Sequence, residues 1–496
     1  MLRVRRRRDT KHVTEGRIPM KAKDILSRQR DPGETRGLYE DAAQRGISYR
    51  EAIDKRRVGP LKEGIEGLTR FDEPLPSSST DPMEVIAMLD SVGSPATMGM
   101  AGPRFFGFVI GGSLPVTVAA NWLATAWDQN TGLALATPAT SKLEEVSLRW
   151  LNGIFGFPET TGGAFVTGAA VANMCCLAAA RHATLRSAGW DVEQDGLFGA
   201  PEVTVVVGEE VHPTVLKALG ILGMGRNRTV QVPVDDKGRM RADALPSIDG
   251  PAIVCLQAGN LNTGAFDPAG RIIPWAHERG AWVHVDGAFG LWAAASERLA
   301  RLSAGFADAD SWATDAHKWL NVPYDSGISF VRDGDTLRRS MSLTAAYLPM
   351  TDLREPSQYT PELSRRARGV EIWAALKTLG TDGLRTMIER SCDNAARFAK
   401  GLADAGFTIL NDVVLNQVLV SFGSEEVTKE VIRRIQEDGT CWCGGTLWQG
   451  KTAMRISVSG WSTTPDDVDR SLEAMIRIAG EVRAESGPEK DRQGTS

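Results

Sequence analysis

The chain has 496 residues, 42% hydrophobic and 24% charged, with a formal net charge of −5. These proportions describe an ordinary globular chain long enough for more than one domain, and they exclude fibrous and low-complexity classes. The negative balance offers no electrostatic reason to expect nucleic acid as a partner, and no run of about 18 apolar residues is present to span a membrane.

The chain opens with Arg3, Arg5, Arg6, Arg7 and Arg8, followed by Lys11, Arg17, Lys21, Lys23, Arg28 and Arg30. No apolar core follows the arginines, so the stretch does not read as an export signal. Residues 1–30 are expected to be a disordered basic tail, with translation from Met20 as an alternative start. Residues 31–95 read as a helical segment carrying Leu38, Ile47, Ile53, Leu61, Ile65 and Leu68. Within it, Pro74 to Pro82 is linker-like and ends in Asp81-Pro82, a cap followed by a first-turn proline. Val85, Ile86 and Leu89 then recur at helical spacing. The run Arg104-Phe-Phe-Gly-Phe, with Trp127 further on, offers aromatics for a pocket, although such residues are more often core.

Beyond Phe157-Pro158, apolar stretches alternate: Val203–Val207, Leu216–Leu222, Val230–Val234, Ile253–Leu256, Ile272–Glu278 and Trp282–Val285. Near-continuous apolar strands between helices imply an α/β architecture, a mostly parallel sheet covered on both faces. Four elements along this region carry chemistry. Gly163 to Met174 is a small-residue turn leading into an apolar run. It reads either as a phosphate cradle of backbone N–H groups at a helix N-terminus or as a tight helix contact. His212 follows a strand, where an imidazole can stack on an aromatic ring or simply be a satisfied structural residue. Asp286 closes the run Ala-Trp-Val-His-Val, placing a carboxylate at a strand's carboxyl end, where ligands bind in such sheets. Lys318 follows His317 in Asp-Ala-His-Lys-Trp, an amine suited to attack on a carbonyl. A fixed carboxylate with a reactive lysine points to pyridoxal phosphate.

From about Arg365 the pattern changes to long helices, Gly369–Leu379 and Gly383–Ala405, then strands at Gln417–Ser421 and Met454–Ser459. The expected organisation is therefore 1–30 tail, 31–95 helical segment, 96–364 cofactor-binding large domain, 365–482 smaller α+β domain and 483–496 polar tail. Six cysteines make no disulfide framework; Cys175 and Cys176 read as core, and Cys441 and Cys443 lack the partners of a metal site. Reduced thiols in a cytoplasmic protein are the simpler reading, with no metal expected.

The order of phosphate turn, histidine, aspartate and lysine resembles the group II pyridoxal-phosphate-dependent decarboxylases, which include the aromatic amino-acid, histidine and glutamate decarboxylases. Arg104-Phe-Phe-Gly-Phe, Gln257 to Asp267 and Ser364-Arg-Arg-Ala-Arg-Gly-Val-Glu-Ile-Trp share in the resemblance, which covers roughly residues 60 to 480. It implies fold type I and PLP-dependent decarboxylation of an L-amino acid. Lys318 would bond the cofactor, Asp286 would hold its pyridine nitrogen and Ala288 would lie beneath the ring. His212 would stack on the ring, while Ala169, Ala170, Asn262, Asp315 and His317 would complete the cofactor contacts. Asp315 stands where several relatives have Asn or Ser, and a carboxylate beside a phosphate is unfavourable unless a cation or proton intervenes. The loop Tyr347 to Tyr359 is short, and Tyr359 is its one candidate for the family's proton-donating tyrosine. Oxidative deamination to an aldehyde and transamination stay open as alternatives, followed by a catalytically silent binding protein. The resemblance also implies a homodimer in which residues 31–75 wrap the partner.

Overall fold

The structure, a computed structural model, describes residues 22–342 and 353–486. Its described residues divide into two compact units, 22–56 with 60–98, and 57–59 with 99–486. In the first, a helix over Pro32–Ala52 is capped by Asp31, whose carboxylate accepts from Gly33 and Glu34 N–H. The helix Pro82–Met88 starts as its sequence requires, with Asp81 accepting from Met83 N–H and Pro82 in the first turn. Ile53 is buried, whereas Ile47, Leu61, Ile65, Leu68 and Leu75 are exposed.

The second unit contains a seven-stranded sheet of order β1-β7-β6-β5-β4-β2-β3. Its strands are β1 (Gly162–Val166), β2 (Thr204–Gly208), β3 (Thr229–Val232), β4 (Ala252–Gln257), β5 (Trp282–Asp286), β6 (Ser311–Asp315) and β7 (Gly327–Val331). Only β7 runs against the rest, antiparallel to both β1 and β6. Apart from the edge strand β3, where Val230 and Gln231 are exposed, the strands are buried on both faces, as their largely apolar runs require. Val206, Val254, Val283 and Val285 join one core with Leu148 and Leu151. Val205, Val207, Ile253 and Cys255 point the other way, onto Leu177, Val215 and Leu219. The intervening apolar stretches at 216–222 and 272–278 fall largely in the helices Pro213–Ile221 and Ala269–His277.

A second, antiparallel sheet has the order β10-β11-β9-β8, with β8 (Thr408–Ile409), β9 (Gln417–Ser421), β10 (Gly444–Trp448) and β11 (Lys451–Ser457). The last strand therefore begins three residues earlier than expected and ends two earlier, because Trp448 and Lys451 close a hairpin. The two helices expected at 369–379 and 383–405 join as Gly369–Asp404, broken at Gly380, whose φ of 58° and ψ of −170° suit glycine. One departure is instructive. Phe105 forms a parallel bridge with Trp442, Phe106 N–H donates to Trp442 and its carbonyl accepts from Ser457. Phe106 packs with Phe398, Val420 and Ile456. A segment expected in the large domain thus completes the core beside the second sheet. Phe105 and Phe108 both stack on Trp442, while Phe108 and Trp127 are exposed. All six cysteines are buried and none is in a disulfide.

Candidate active site

β4, β5 and β6 are parallel neighbours, so their carboxyl ends lie together, and the chemistry gathers there. Asp286 is the last residue of β5 and is 5% exposed. Its Oδ1 accepts from Ala288 N–H at 3.2 Å and its Oδ2 from Asn173 Nδ2 at 3.2 Å. β6 ends in Asp315, and the short helix Ala316–Trp319 carries His317 and Lys318 immediately beyond it. The Lys318 ammonium lies 2.9 Å from Asp315 Oδ2, with the carboxylate almost fully buried. The Ala288 carbonyl accepts from Asp315 N–H at 2.9 Å, tying the two strand ends to each other.

The helix Ala169–Ser187 begins beside this pair. Its N-cap, Gly168, has no side chain to satisfy the first N–H groups, so another acceptor must. Asp315 Oδ1 takes Ala169 N–H at 2.6 Å, and Ala170 N–H lies in the same open turn. His317 is oriented by Ser326, whose N–H donates to Nδ1 at 3.1 Å. The ring proton is therefore on Nε2, 3.6 Å from Asp315 Oδ1. Burial holds this imidazole below its usual range and Tyr324 stacks on it at 4.3 Å. Ser326 Oγ is buried without a partner among the described residues. Close packing shapes the cradle: a Cβ on Gly327 would lie 2.4 Å from Gly168, and one on Gly111 would lie 1.8 Å from the Lys318 carbonyl oxygen. Neither glycine was singled out in the sequence, because their close neighbours are distant along the chain.

His212 caps the helix Pro213–Ile221. Its Nδ1 lies 2.7 Å from Thr214 Oγ1 and accepts from Thr214 N–H at 3.3 Å. Burial again lowers its pKa, so it is held neutral. Asn262 binds Arg455 and Thr446 rather than the lysine or the carboxylates: its Oδ1 accepts from Arg455 Nη1 at 3.3 Å and Thr446 Oγ1 at 3.0 Å. Sequence reasoning missed Arg455. Burial pushes this guanidinium down to about 10, its charge is felt at His212, and no carboxylate pairs with it among the described residues. A half-buried guanidinium without a carboxylate partner is a binding partner for an acidic ligand. Its only sequence signal was a charge inside the strand-like Met454–Val458 run.

The motif Ser364 to Trp373 is a strut. Arg365 pairs with buried Glu144 at 2.9 Å and donates to the Phe165 carbonyl on β1 at 2.6 Å, and Arg368 pairs with Asp325 at 2.9 Å. Tyr359 lies under the Arg354 guanidinium at 4.4 Å and packs on the cluster of Val166, Cys175 and Leu337. Tyr347 and the rest of its loop to Asp352 lie outside the described residues.

The donor set fits pyridoxal phosphate except at Asp315, whose carboxylate occupies the Ala169 N–H that a phosphate would use. A helix start without a side-chain cap, the Nε2–H of His317 and the orphan Ser326 hydroxyl suit an anion. A buried carboxylate at the end of β5 suits a protonated ring nitrogen, and Lys318 lies beyond the adjacent strand.

The comparisons agree. The family described as "Pyridoxal-dependent decarboxylase conserved domain" matches residues 75–423. The aromatic-L-amino-acid decarboxylase of Bacillus atrophaeus is 25% identical over 449 residues, covering 85% of this chain and 91% of that one. Tryptophan decarboxylase 1 of Oryza sativa subsp. japonica is 26% identical over 428 residues, covering 77% and 81%. The crystal structure of Oryza sativa TDC with PLP and tryptamine superposes with a TM-score of 0.83 at 21% identity, over 91% of this chain and 99% of that one. The mostly parallel sheet with its smaller antiparallel companion is accordingly fold type I. With most of its length matched, this chain belongs to the pyridoxal-dependent decarboxylase family, whose cofactor is pyridoxal phosphate.

Proposed function

We propose that this protein removes the α-carboxylate of an L-amino acid as carbon dioxide, using pyridoxal phosphate held by Lys318, Asp286, Ala288, His212, Ala169, Ala170, Asn262, Asp315 and His317. The observation that carries the reading is the placement of Lys318 and Asp286 beyond adjacent parallel strand ends, beside a helix N-terminus without a side-chain cap. When bound, the cofactor supplies an electron sink for the pair left behind as carbon dioxide departs. The protein's part is positional and electrostatic. Lys318 Nζ is the amine for the cofactor's aldehyde, and Asp315 Oδ2, at 2.9 Å, is placed to take the proton that amine must lose. Asp286 carries negative charge to the ring nitrogen, through a charge-assisted hydrogen bond worth about 1.5–3 kcal/mol. Neutral His212 offers a flat face and one Nε2–H donor without adding positive charge. Arg455, short of a counter-ion, is placed to hold a substrate carboxylate.

The test is borohydride reduction of the cofactor-loaded protein followed by peptide mapping. The label is expected on Lys318, with Lys318→Ala inactive but folded, and a label on another lysine overturns the assignment. Screening the amino acids for carbon dioxide release identifies the substrate.

The reading extends to a cytoplasmic homodimer, supported by six unbonded thiols and by the apolar residues exposed on the first unit. Light scattering at working concentration checks the dimer, and a fully active monomer refutes it.

A further inference from the structure

Trp282, His284 and Asp286 alternate along β5 and so share one face, toward the helix that carries Asn173. His284, Asn173 and Ser311 are fully buried, and each has its polar atoms engaged. Trp282 Nε1 donates to Ser311 Oγ at 2.9 Å. An indole can only donate, so the Ser311 hydroxyl hydrogen is left for His284 Nδ1 at 3.0 Å. The His284 proton therefore sits on Nε2, which donates to Asn173 Oδ1 at 2.9 Å. Burial agrees, pushing this histidine down to about 3, so it is neutral with a single N–H.

The far end imposes the same direction. A carboxylate only accepts, and Asp286 Oδ2 faces Asn173 Nδ2 at 3.2 Å. The second hydrogen of that amide faces Thr214 Oγ1 at 3.3 Å. His212 Nδ1 accepts from Thr214 N–H, so the Thr214 hydroxyl can only donate to it, at 2.7 Å. Asp286, an acceptor only, turns the Asn173 Nδ2 toward the carboxylate and its Oδ1 toward His284, which requires the His284 proton on Nε2.

We propose that Asn173 is a positioning residue: its amide orients the Asp286 carboxylate at the cofactor-facing end of β5. His284, Ser311 and Trp282 lock the amide against flipping. The proposal rests on the reading of Asp286 as a cofactor contact, but the proton order itself does not. Flipping the amide would set its oxygen against the carboxylate and its N–H₂ against His284 Nε2–H, two repulsive contacts in a site that excludes water.

The experiment uses the full chain with ¹⁵N-labelled histidine. In the cofactor-free protein at neutral pH, His212 and His284 are both expected as neutral Nε2–H tautomers. In Asn173→Ala, His284 loses the acceptor for its Nε2–H and is expected to become a tautomer mixture, while His212, held by Thr214 N–H, and His317, held by Ser326 N–H, stay unchanged. In the loaded enzyme, Asn173→Ala is expected to lower kcat roughly tenfold to hundredfold, the loss set by one charge-assisted hydrogen bond, with KM changed by less than about threefold. Should Asn173→Ala fail to fold, the pair His284→Gln and His284→Leu decides. Gln keeps a donor toward Asn173 Oδ1 and is expected to retain more activity than Leu, which offers none. An Nδ1–H tautomer at His284 in the wild type, an unchanged His284 in the variant, or equal kcat for Gln and Leu overturns the proposal. The tautomer spectra need no cofactor, so they decide the relay even if borohydride labels another lysine.

Discussion

Asp315→Asn isolates the most unusual residue of the site. The carboxylate takes Ala169 N–H at 2.6 Å, faces the His317 Nε2–H and pairs with Lys318. It therefore occupies donors that a phosphate needs, and it loses its cation when Lys318 bonds the cofactor. Asparagine keeps an acceptor for Ala169 N–H, preserves shape and removes only the charge. Two unit charges about 4 Å apart interact by about 4 kcal/mol at an effective dielectric near 20, and shared donors and water reduce this. A gain of about 1.4–2.8 kcal/mol is expected, tenfold to hundredfold tighter binding of pyridoxal phosphate. Pyridoxal, which lacks the phosphate, is expected to bind the two proteins with much smaller change. Fluorescence titration of the cofactor-free proteins with both ligands measures each quantity. An unchanged ratio of the two affinities, or weaker phosphate binding by the variant, refutes the argument and leaves Asp315 as a helix cap and lysine partner.

Three further expectations rest on the same geometry. Asp286→Ala should cost two to four powers of ten in kcat, from about 3–5 kcal/mol for one member of a buried charge pair, while Asp286→Glu retains more. An unchanged rate in steady-state kinetics would make Asp286 a turn residue. Arg455→Gln should raise KM for the amino acid without lowering the melting temperature, because it removes a half-buried cation that lacks a carboxylate partner among the described residues. A large drop in melting temperature would show that its role is structural. Burial pushes His284 from the ordinary 6.5 of a solvated histidine down to about 3 in the folded protein, so the unfolded chain binds more protons between these limits. Its contribution is complete above about pH 6.5 and is lost at about 1.4 kcal/mol per pH unit as pH falls toward 3. His284→Gln should flatten that acid limb in denaturant titrations at pH 4.5 and 7, and an equally steep limb in the variant would contradict it.

Much of the site was legible because its residues sit at points the local chain defines. Asp286 ends an apolar strand, so the strand pattern alone placed it at the sheet's carboxyl edge; Lys318 was legible from its motif, and the fold showed that it lies just past β6. Gly168 and the alanines after it were legible as a helix start by their lack of side chains. Asn173 carried no such mark, being one polar residue in an apolar helix; its importance appears only when β5, β6 and two helices meet around it. Arg455 lies more than 130 residues beyond Lys318, and no local pattern connects them.

The sequence by itself determined the class of sheet, the pairing of lysine with aspartate and the family, since each rests on short-range periodicity or on motif order. Tertiary structure decided which donors satisfy which acceptors. Phe106 illustrates the difference: its hydrophobicity destined it for a core, but only backbone pairing with Trp442 and Ser457 selected the core beside the second sheet. Proton positions on His212, His284 and His317 were decided the same way, because a tautomer depends on what lies at hydrogen-bond distance across the fold, and that information is held by packing rather than by neighbours in the chain.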